Sequence, residues 1–520
     1  MSLRFMATTC ALALTAGVAQ ADFTLHVLHI NDLHSRIEPI NKYDSTCNAE
    51  DNAEGKCFGG YARVITKINE LRAELADENV IVLDAGDQYQ GSLMYTTYKG
   101  EVEAEFAEQV GFDAMAVGNH EFDDGDQGLR DLADRTSFPI ISGNIDVSKS
   151  NILAGQIADH TILEVGGQKI GIVSALAADT VETSSPSEAV AFADELASLQ
   201  EDVSALEAAG VDKIIALNHV GVTKDMAIAA ELKGVDAVVG GHSHTLFSNT
   251  KEGAMAYPTM VGDVPVVQAY AYSKYVGHLT LTFDDNGKVV SATGDTILLD
   301  ASVAEDQAVV ARIAELAGPI EEMKTRVIGT ASDVIEGSRD VCRAMECPMG
   351  NLVADAMLDR VADQGVQVAI QNGGGLRASI DAGEITMGEA LTVLPFQNTL
   401  STFAATGETI AAALENGVSQ IEEGAGRFPQ VAGMSYTFDA TAEAGSRVSN
   451  IMIGDAPLDP AATYMAVTNN YVRNGGDGYA MFKDAENAYD YGPDIADVLA
   501  EYLAKTGDYA PYTDGRITAK

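Results

Sequence analysis

Phe23-Thr24-Leu25-His26-Val27-Leu28-His29-Ile30-Asn31-Asp32-Leu33-His34 is an apolar run that ends in a carboxylate and an imidazole two residues apart. The run has the length and composition of a buried strand. Open α/β sheets collect their ligands just outside the carboxyl ends of such strands. The arrangement recurs along the chain. Val80–Leu83 leads into Asp84-Ala85-Gly86-Asp87, and Ala114–Val117 into Gly118-Asn119-His120-Glu121. Lys213–Leu217 leads into Asn218-His219, and Ala237–Val239 into Gly240-Gly241-His242-Ser243-His244. Of the 9 histidines, His34, His120, His219, His242 and His244 fall in these loops, a clustering that chance does not produce. His26, His29, His160 and His278 read as structural residues.

Working outward, Ile140–Ser142 and Ile170–Ser174 complete a set of strands, with amphipathic helices such as Ala62–Glu74 and Ala189–Ala209 between them. That alternation specifies an α/β domain over about 22–302. Pro265–Ala271 and His278–Asp284 read as later antiparallel strands. Val303–Arg326 has helical spacing and many charges, and is expected to bridge two domains. The remainder, 327–520, mixes helices (Asn351–Ala362, Met387–Val393, Thr409–Gly417) with strands (Val366–Gln371, Thr399–Thr406, Tyr464–Asn469). The 520 residues are too many for one core and suggest two or three domains.

With 32 basic and 77 acidic residues the net charge is −45, which argues against binding duplex nucleic acid or an anionic membrane through a basic face. Arg4, the apolar run Phe5 to Val18 and Ala19-Gln20-Ala21 have the order of a cleavable signal peptide over 1–21. The polar C-terminus, Tyr512 to Lys520, lacks a hydrophobic-tail anchor signal. A periplasmic or secreted protein is therefore expected. After Cys10 leaves with the signal, Cys47/Cys57 and Cys342/Cys347 remain as two close pairs, each expected as a local disulfide. The sequence leaves the oligomeric state open.

Imidazole, carboxylate and amide donors converging from five strand ends suit a pair of divalent ions, with Zn²⁺, Mn²⁺ or Co²⁺ fitting mixed N/O ligands. Two such ions clamp the attacking and leaving oxygens of a phosphoryl displacement. The order Asp-x-His, Gly-Asp, Gly-Asn-His, Asn-His, Gly-His-x-His resembles the calcineurin-like metallophosphoesterases. The fuller strings His29 to Arg36 (HINDLHSR), Leu83 to Gly91 (LDAGDQYQG) and Gly118 to Asp123 (GNHEFD) resemble the 5′-nucleotidase/UDP-sugar hydrolase family. The resemblance implies an N-terminal four-layer α/β/β/α domain, a bridging helix and a C-terminal α+β substrate-binding domain. It also implies that Asp32, His34 and His244 hold one ion, that Asn119, His219 and His242 hold the other, and that Asp87 bridges them. His120, held by Asp123, would face the phosphate rather than an ion, and a water activated by the ions would be the nucleophile.

In the second domain, Arg343 to Asn351 (RAMECPMGN), Gln371 to Arg377 (QNGGGLR) and Asn474 to Gly478 (NGGDG) resemble the same family. By that resemblance Arg343, Arg377 and Asn372 contact phosphate, Phe396 and Tyr471 stack on a base, Asp477 takes the ribose, and Arg36 adds a phosphate contact from the first domain. The chain departs from animal members in its C-terminus, in Tyr at 471, and in Gln397-Asn398 after Phe396. The expected activity is hydrolysis of nucleoside 5′-monophosphates, with ATP, ADP and UDP-sugars as further candidates. A 2′,3′-cyclic-nucleotide 2′-phosphodiesterase/3′-nucleotidase and a non-catalytic nucleotide-binding surface protein remain the alternatives.

Overall fold

The structure is a computed structural model that describes residues 23–42, 47–396, 398–483, 485–489 and 493–520. The expected signal segment 1–21 and Gln397 lie outside the described residues. The N-terminal domain is built on two stacked six-stranded sheets. The first runs Val289–Leu298, Tyr275–Phe283, Phe23–Ile30, Asn79–Asp84, Ala114–Ala116, Ile140–Ile141. The second runs Thr259–Val261, Val264–Val267, Ala237–Val239, Ile214–Leu217, Gln168–Val173, His160–Val165. In each, the strands that end in the ligand-bearing loops are parallel neighbours.

Side-chain alternation sorts the layers. Leu25, Val27, Ile81 and Leu83 point between the sheets and pack with Ile170, Ile172, Ile215 and Leu217. Leu28, Ile30 and Val82 point the other way, under the helices Tyr61–Glu74 and Glu101–Val110. Leu199, Val203, Leu206 and Ile228 from the helices Glu195–Ala208 and Val222–Glu231 cover the second sheet. The order is α/β/β/α.

The sequence missed the strands His160–Val165 and Val289–Leu298, whose residues are mostly half-buried or exposed and so lack an apolar signature. The helix expected from Ala189 begins only at Glu195, because Ala191–Phe192 pairs with Ile145–Asp146 as a short strand.

Helix Gln307–Lys324 packs Val309, Ile313, Leu316 and Ile320 into the N-terminal core and also touches Met387–Val393 of the other domain. Arg312 fixes it through a two-pronged contact with Glu105 (2.9 and 3.0 Å). The C-terminal domain centres on a five-stranded sheet, Pro429–Ala432, Val368–Asn372, Thr463–Asn469, Leu400–Thr406, Glu486–Tyr489, backed by helices Pro348–Arg360 and Ile495–Thr506. Both cysteine pairs are disulfides, with Cα–Cα distances of 6.0 Å for Cys47–Cys57 and 5.1 Å for Cys342–Cys347. No helix of the described residues is long and apolar enough to cross a membrane.

Candidate active site

The five loops singled out in the sequence meet at one point above both sheets. Their backbone is unusual: Asp32, His34, Asp87, His242 and His244 all adopt positive φ, between 50° and 73°. Non-glycine residues avoid this region, and such strain persists where the surrounding structure imposes it, typically at functional sites. At Asp87 the imposing group is Glu121. Its buried carboxylate accepts from four backbone N–H groups: Gly118 (2.7 Å), Asp87 (3.0 Å), Gln88 (2.9 Å) and Tyr89 (3.2 Å). One side chain thereby ties the loop after Asn79–Asp84 to the loop after Ala114–Ala116. Gly118 is required at their junction, since a Cβ there would lie 2.3 Å from the Asp87 nitrogen.

Asp32, His34 and His244 form one group of metal-ligating atoms, and Asp87, His219 and His242 a second. His34 Nε2 and His244 Nε2 are 2.9 Å apart, and His244 Nε2 is 3.3 Å from Asp32 Oδ1. In the second group, His219 Nε2 lies 3.1 Å from Asp87 Oδ2 and 3.2 Å from Asn119 Oδ1, and His242 Nδ1 lies 2.9 Å from Asn119 Oδ1. His34 Nε2 is 3.7 Å from Asp87 Oδ2, so Asp87 stands between the groups.

The electrostatics fit cations. Burial holds His34, His242 and His244 well below the usual imidazole range, as neutral rings with lone pairs available. At His219 burial pulls the same way, but Asp87 and Asp32 outweigh it and raise the ring to about 10, a demand for positive charge at that point. The Nδ1 of His219 faces the Ala85 carbonyl at 2.7 Å, which fixes its tautomer and leaves Nε2 for a metal. The donor set of imidazoles, carboxylates and one amide oxygen suits two borderline divalent ions.

His120 is grouped spatially with His34 and Asp87. Its Nδ1 is bound to Asp123 Oδ2 at 2.8 Å, which leaves Nε2 as its remaining ring nitrogen. Asp123 Oδ1 accepts from Ser184 Oγ at 2.8 Å, so the carboxylate is held from both sides. Burial works against protonation of His120, yet Asp123 and Asp87 raise its affinity for a proton above the ordinary value.

A cavity of about 370 Å³ opens over this cluster, between the domains. One wall carries His34, Asp87, Asn119, His120, Asp123, His242 and His244, and the other Arg343, Asn372, Arg377, Phe396, Tyr471 and Asp477. Asp32 and His219 lie behind, fully buried. The Phe396 ring stacks on His120 across the domain boundary, with centroids 5.8 Å apart, and Arg377 sits 5.7 Å from the Phe396 ring centre. Asp477 accepts from Asn372 Nδ2 (2.6 Å) and from the Tyr471 hydroxyl (3.2 Å), and Asn469 steadies Asn372 at 2.9 Å.

Arg36 is the one expected substrate contact that the structure does not bring to this cavity. Its Nη1 donates to the carbonyls of His34 (3.1 Å) and Gly91, and its guanidinium lies 4.9 Å from the Tyr272 ring centre. Arg36 braces the loops from beneath. Conversely, Arg339 was not singled out in the sequence and does line the cavity. Its signal was the Arg339-x-x-x-Arg343 spacing, which puts two guanidiniums one helical turn apart.

Comparison with known proteins agrees with this geometry. Residues 25–246 match the calcineurin-like phosphoesterase family, and residues 327–484 match the 5′-nucleotidase C-terminal domain. The 5′-nucleotidase of Diplobatis ommata is 38% identical over 99% of this chain and 93% of its own. The chain belongs to the 5′-nucleotidase family. It is thus a metal-dependent phosphomonoester hydrolase with the family's two-domain architecture. The snake venom 5′-nucleotidase of Naja atra is 38% identical over 95% of this chain and 98% of its own. Among solved structures, a 5′-nucleotidase precursor from Thermus thermophilus superposes with a TM-score of 0.91 at 39% identity, covering 96% of this chain and 99% of the other.

Proposed function

We propose that the chain is an exported phosphohydrolase that converts nucleoside 5′-monophosphates to nucleoside and phosphate with the aid of two divalent metal ions. The observation that carries the reading is a single cavity with a metal-ligating cluster on one wall and arginines, paired aromatics and a carboxylate on the other. Asp32, His34 and His244 would hold one ion, Asn119, His219 and His242 the other, with Asp87 shared. When bound, the ions supply Lewis-acid polarisation of phosphoryl oxygens and lower the pKa of an attacking water.

The remaining work falls to this chain's own side chains. Arg343, Arg377 and Asn372 grip phosphate oxygens, in the fork geometry that suits guanidinium. Phe396 and Tyr471 take the base between them, and Asp477 accepts from ribose hydroxyls. His120 Nε2, aligned through Nδ1 by Asp123, stabilises charge on the phosphoryl group or delivers a proton to the leaving oxygen. Residues 22–302 form the catalytic domain, 303–326 the connecting helix and 327–520 the substrate-binding domain. Export is supported by the N-terminal signal pattern and by the two disulfides.

The test is phosphate release from 5′-AMP, 3′-AMP, ATP, UDP-glucose and 2′,3′-cyclic AMP with Mn²⁺ or Zn²⁺ present. Preference for 5′-AMP supports the reading. Preference for 3′-AMP and the cyclic nucleotide assigns the chain to the 2′-phosphodiesterase/3′-nucleotidase alternative, and no release from any ester assigns it to the binding protein.

A further inference from the structure

The loop Asp87-Gln88-Tyr89-Gln90-Gly91 carries two glutamines with opposite fates. Both polar atoms of Gln88 have partners: its Nε2 donates to Asp84 at 2.5 Å and its Oε1 accepts from the Tyr61 hydroxyl. Gln90 is 1% exposed, and neither its Oε1 nor its Nε2 has a hydrogen-bond partner among the described residues. Its backbone is held in the left-handed region at φ 73°. Gly91, beside it, is where the chain meets the Arg36 guanidinium; a Cβ there would lie 2.4 Å from Arg36 Nη1. The segment is thus fixed on both sides of Gln90: Glu121 binds Gln88 and Tyr89, and Arg36 binds the Gly91 carbonyl.

A buried amide left without partners is unfavourable, and so is a left-handed glutamine. Both costs fall on one side chain, and that side chain lines the cavity with His34, Asp87 and His120. Buried polar groups in folded proteins find partners, so the partner of Gln90 is a molecule that enters the cavity. We propose that Gln90 Nε2 donates a hydrogen bond to a phosphoryl oxygen of the bound ester, making Gln90 a further catalytic residue. Its position three residues after Asp87, on the wall shared with His34 and His120, places it with the phosphoryl group rather than with the nucleoside, whose expected contacts Phe396, Tyr471 and Asp477 lie on the facing wall.

The idea rests on the cavity being a phosphoester site, and it makes an unusual demand on stability. Removing an unsatisfied buried amide in favour of an apolar group of similar shape costs the fold nothing. Gln90→Met is therefore expected to keep or raise the melting temperature of the metal-loaded enzyme. It is expected to lower kcat/KM by about 10–100-fold, the range for a hydrogen bond to a charged acceptor. Gln90→Gly, which also relieves the left-handed backbone, gives the same pattern. The loss is read on both 5′-AMP and p-nitrophenyl phosphate, and inhibition by inorganic phosphate weakens with it.

Unchanged turnover in both variants overturns the proposal, as does loss confined to 5′-AMP, which would move the contact to the nucleoside. A fall in melting temperature in both variants that tracks the loss of turnover overturns it too, since that is the mark of a structural role. A wild-type enzyme that cleaves p-nitrophenyl phosphate but not 5′-AMP defeats the nucleotide reading and leaves the Gln90 test intact on the aryl ester.

Discussion

His120 touches the other domain through Phe396 and is aligned by an Asp123 carboxylate itself held by Ser184. His120→Ala should cut kcat on 5′-AMP by about 10²–10⁴-fold, the usual worth of acid–base or charge-stabilising assistance. Its melting temperature should stay near wild type, and equal loss of both would contradict the role. Glu103 makes a different prediction. Burial raises its carboxyl from 4.5 to about 7, opposed only in part by the Ser35 hydroxyl donating to it. The folded protein then holds a proton that the unfolded chain has released, so stability falls as pH rises between about 4.5 and 7. Glu103→Gln mimics the protonated form. Thermal melts should show it more stable than wild type above about pH 7, with the gap closing below about pH 4.5. At this scale the sequence revealed the candidate metal-ligating residues that the fold brings together, because they recur at strand ends. Arg36, which the resemblance pointed toward the phosphate, instead donates to the carbonyls of His34 and Gly91, a placement that its charge in the chain does not reveal.

Two elements set the site. The paired loops tied by Glu121 hold Asp87 and Asn119 in position. In Glu121→Gln an amide N–H would face backbone N–H groups. The expected loss is about 1.5–3 kcal/mol, the range for hydrogen bonds to a charged group, with weaker metal affinity, measured by denaturation and by metal titration. Helix Arg339–Cys342 with Arg343 at its C-cap presents two guanidiniums to the cavity beside Arg377. Burial, then their mutual repulsion, holds the Arg343 guanidinium well below its usual range. The neighbouring guanidiniums of Arg339, Arg343 and Arg377 suit more anion than a single phosphate. Arg339→Ala should lower kcat/KM for ATP at least tenfold more than for 5′-AMP; equal loss would make Arg339 a general support. Elements buried on both faces were legible almost to the residue, as with Phe23–Ile30 and Ala237–Val239. The strand His160–Val165, at the open edge of its sheet, was not, because its half-exposed residues carry little apolar signal.

At the scale of the molecule, the substrate cavity belongs to neither domain alone. The N-terminal sheets bring five loops to one point, and the C-terminal domain supplies the facing wall. No local pattern in the sequence encodes that closure; only the resemblance across both domains pointed to it. Helix Gln307–Lys324 joins the two, rooted in the N-terminal core. The central claim is that this shared cavity hydrolyses 5′-nucleotides with two ions. Its most direct test is to strip the protein with chelator and return Mn²⁺ in measured steps while following phosphate release from 5′-AMP. Activity should be absent without metal and complete at two ions per chain. Full activity at one ion per chain, or no release from 5′-AMP with both sites filled, would contradict it.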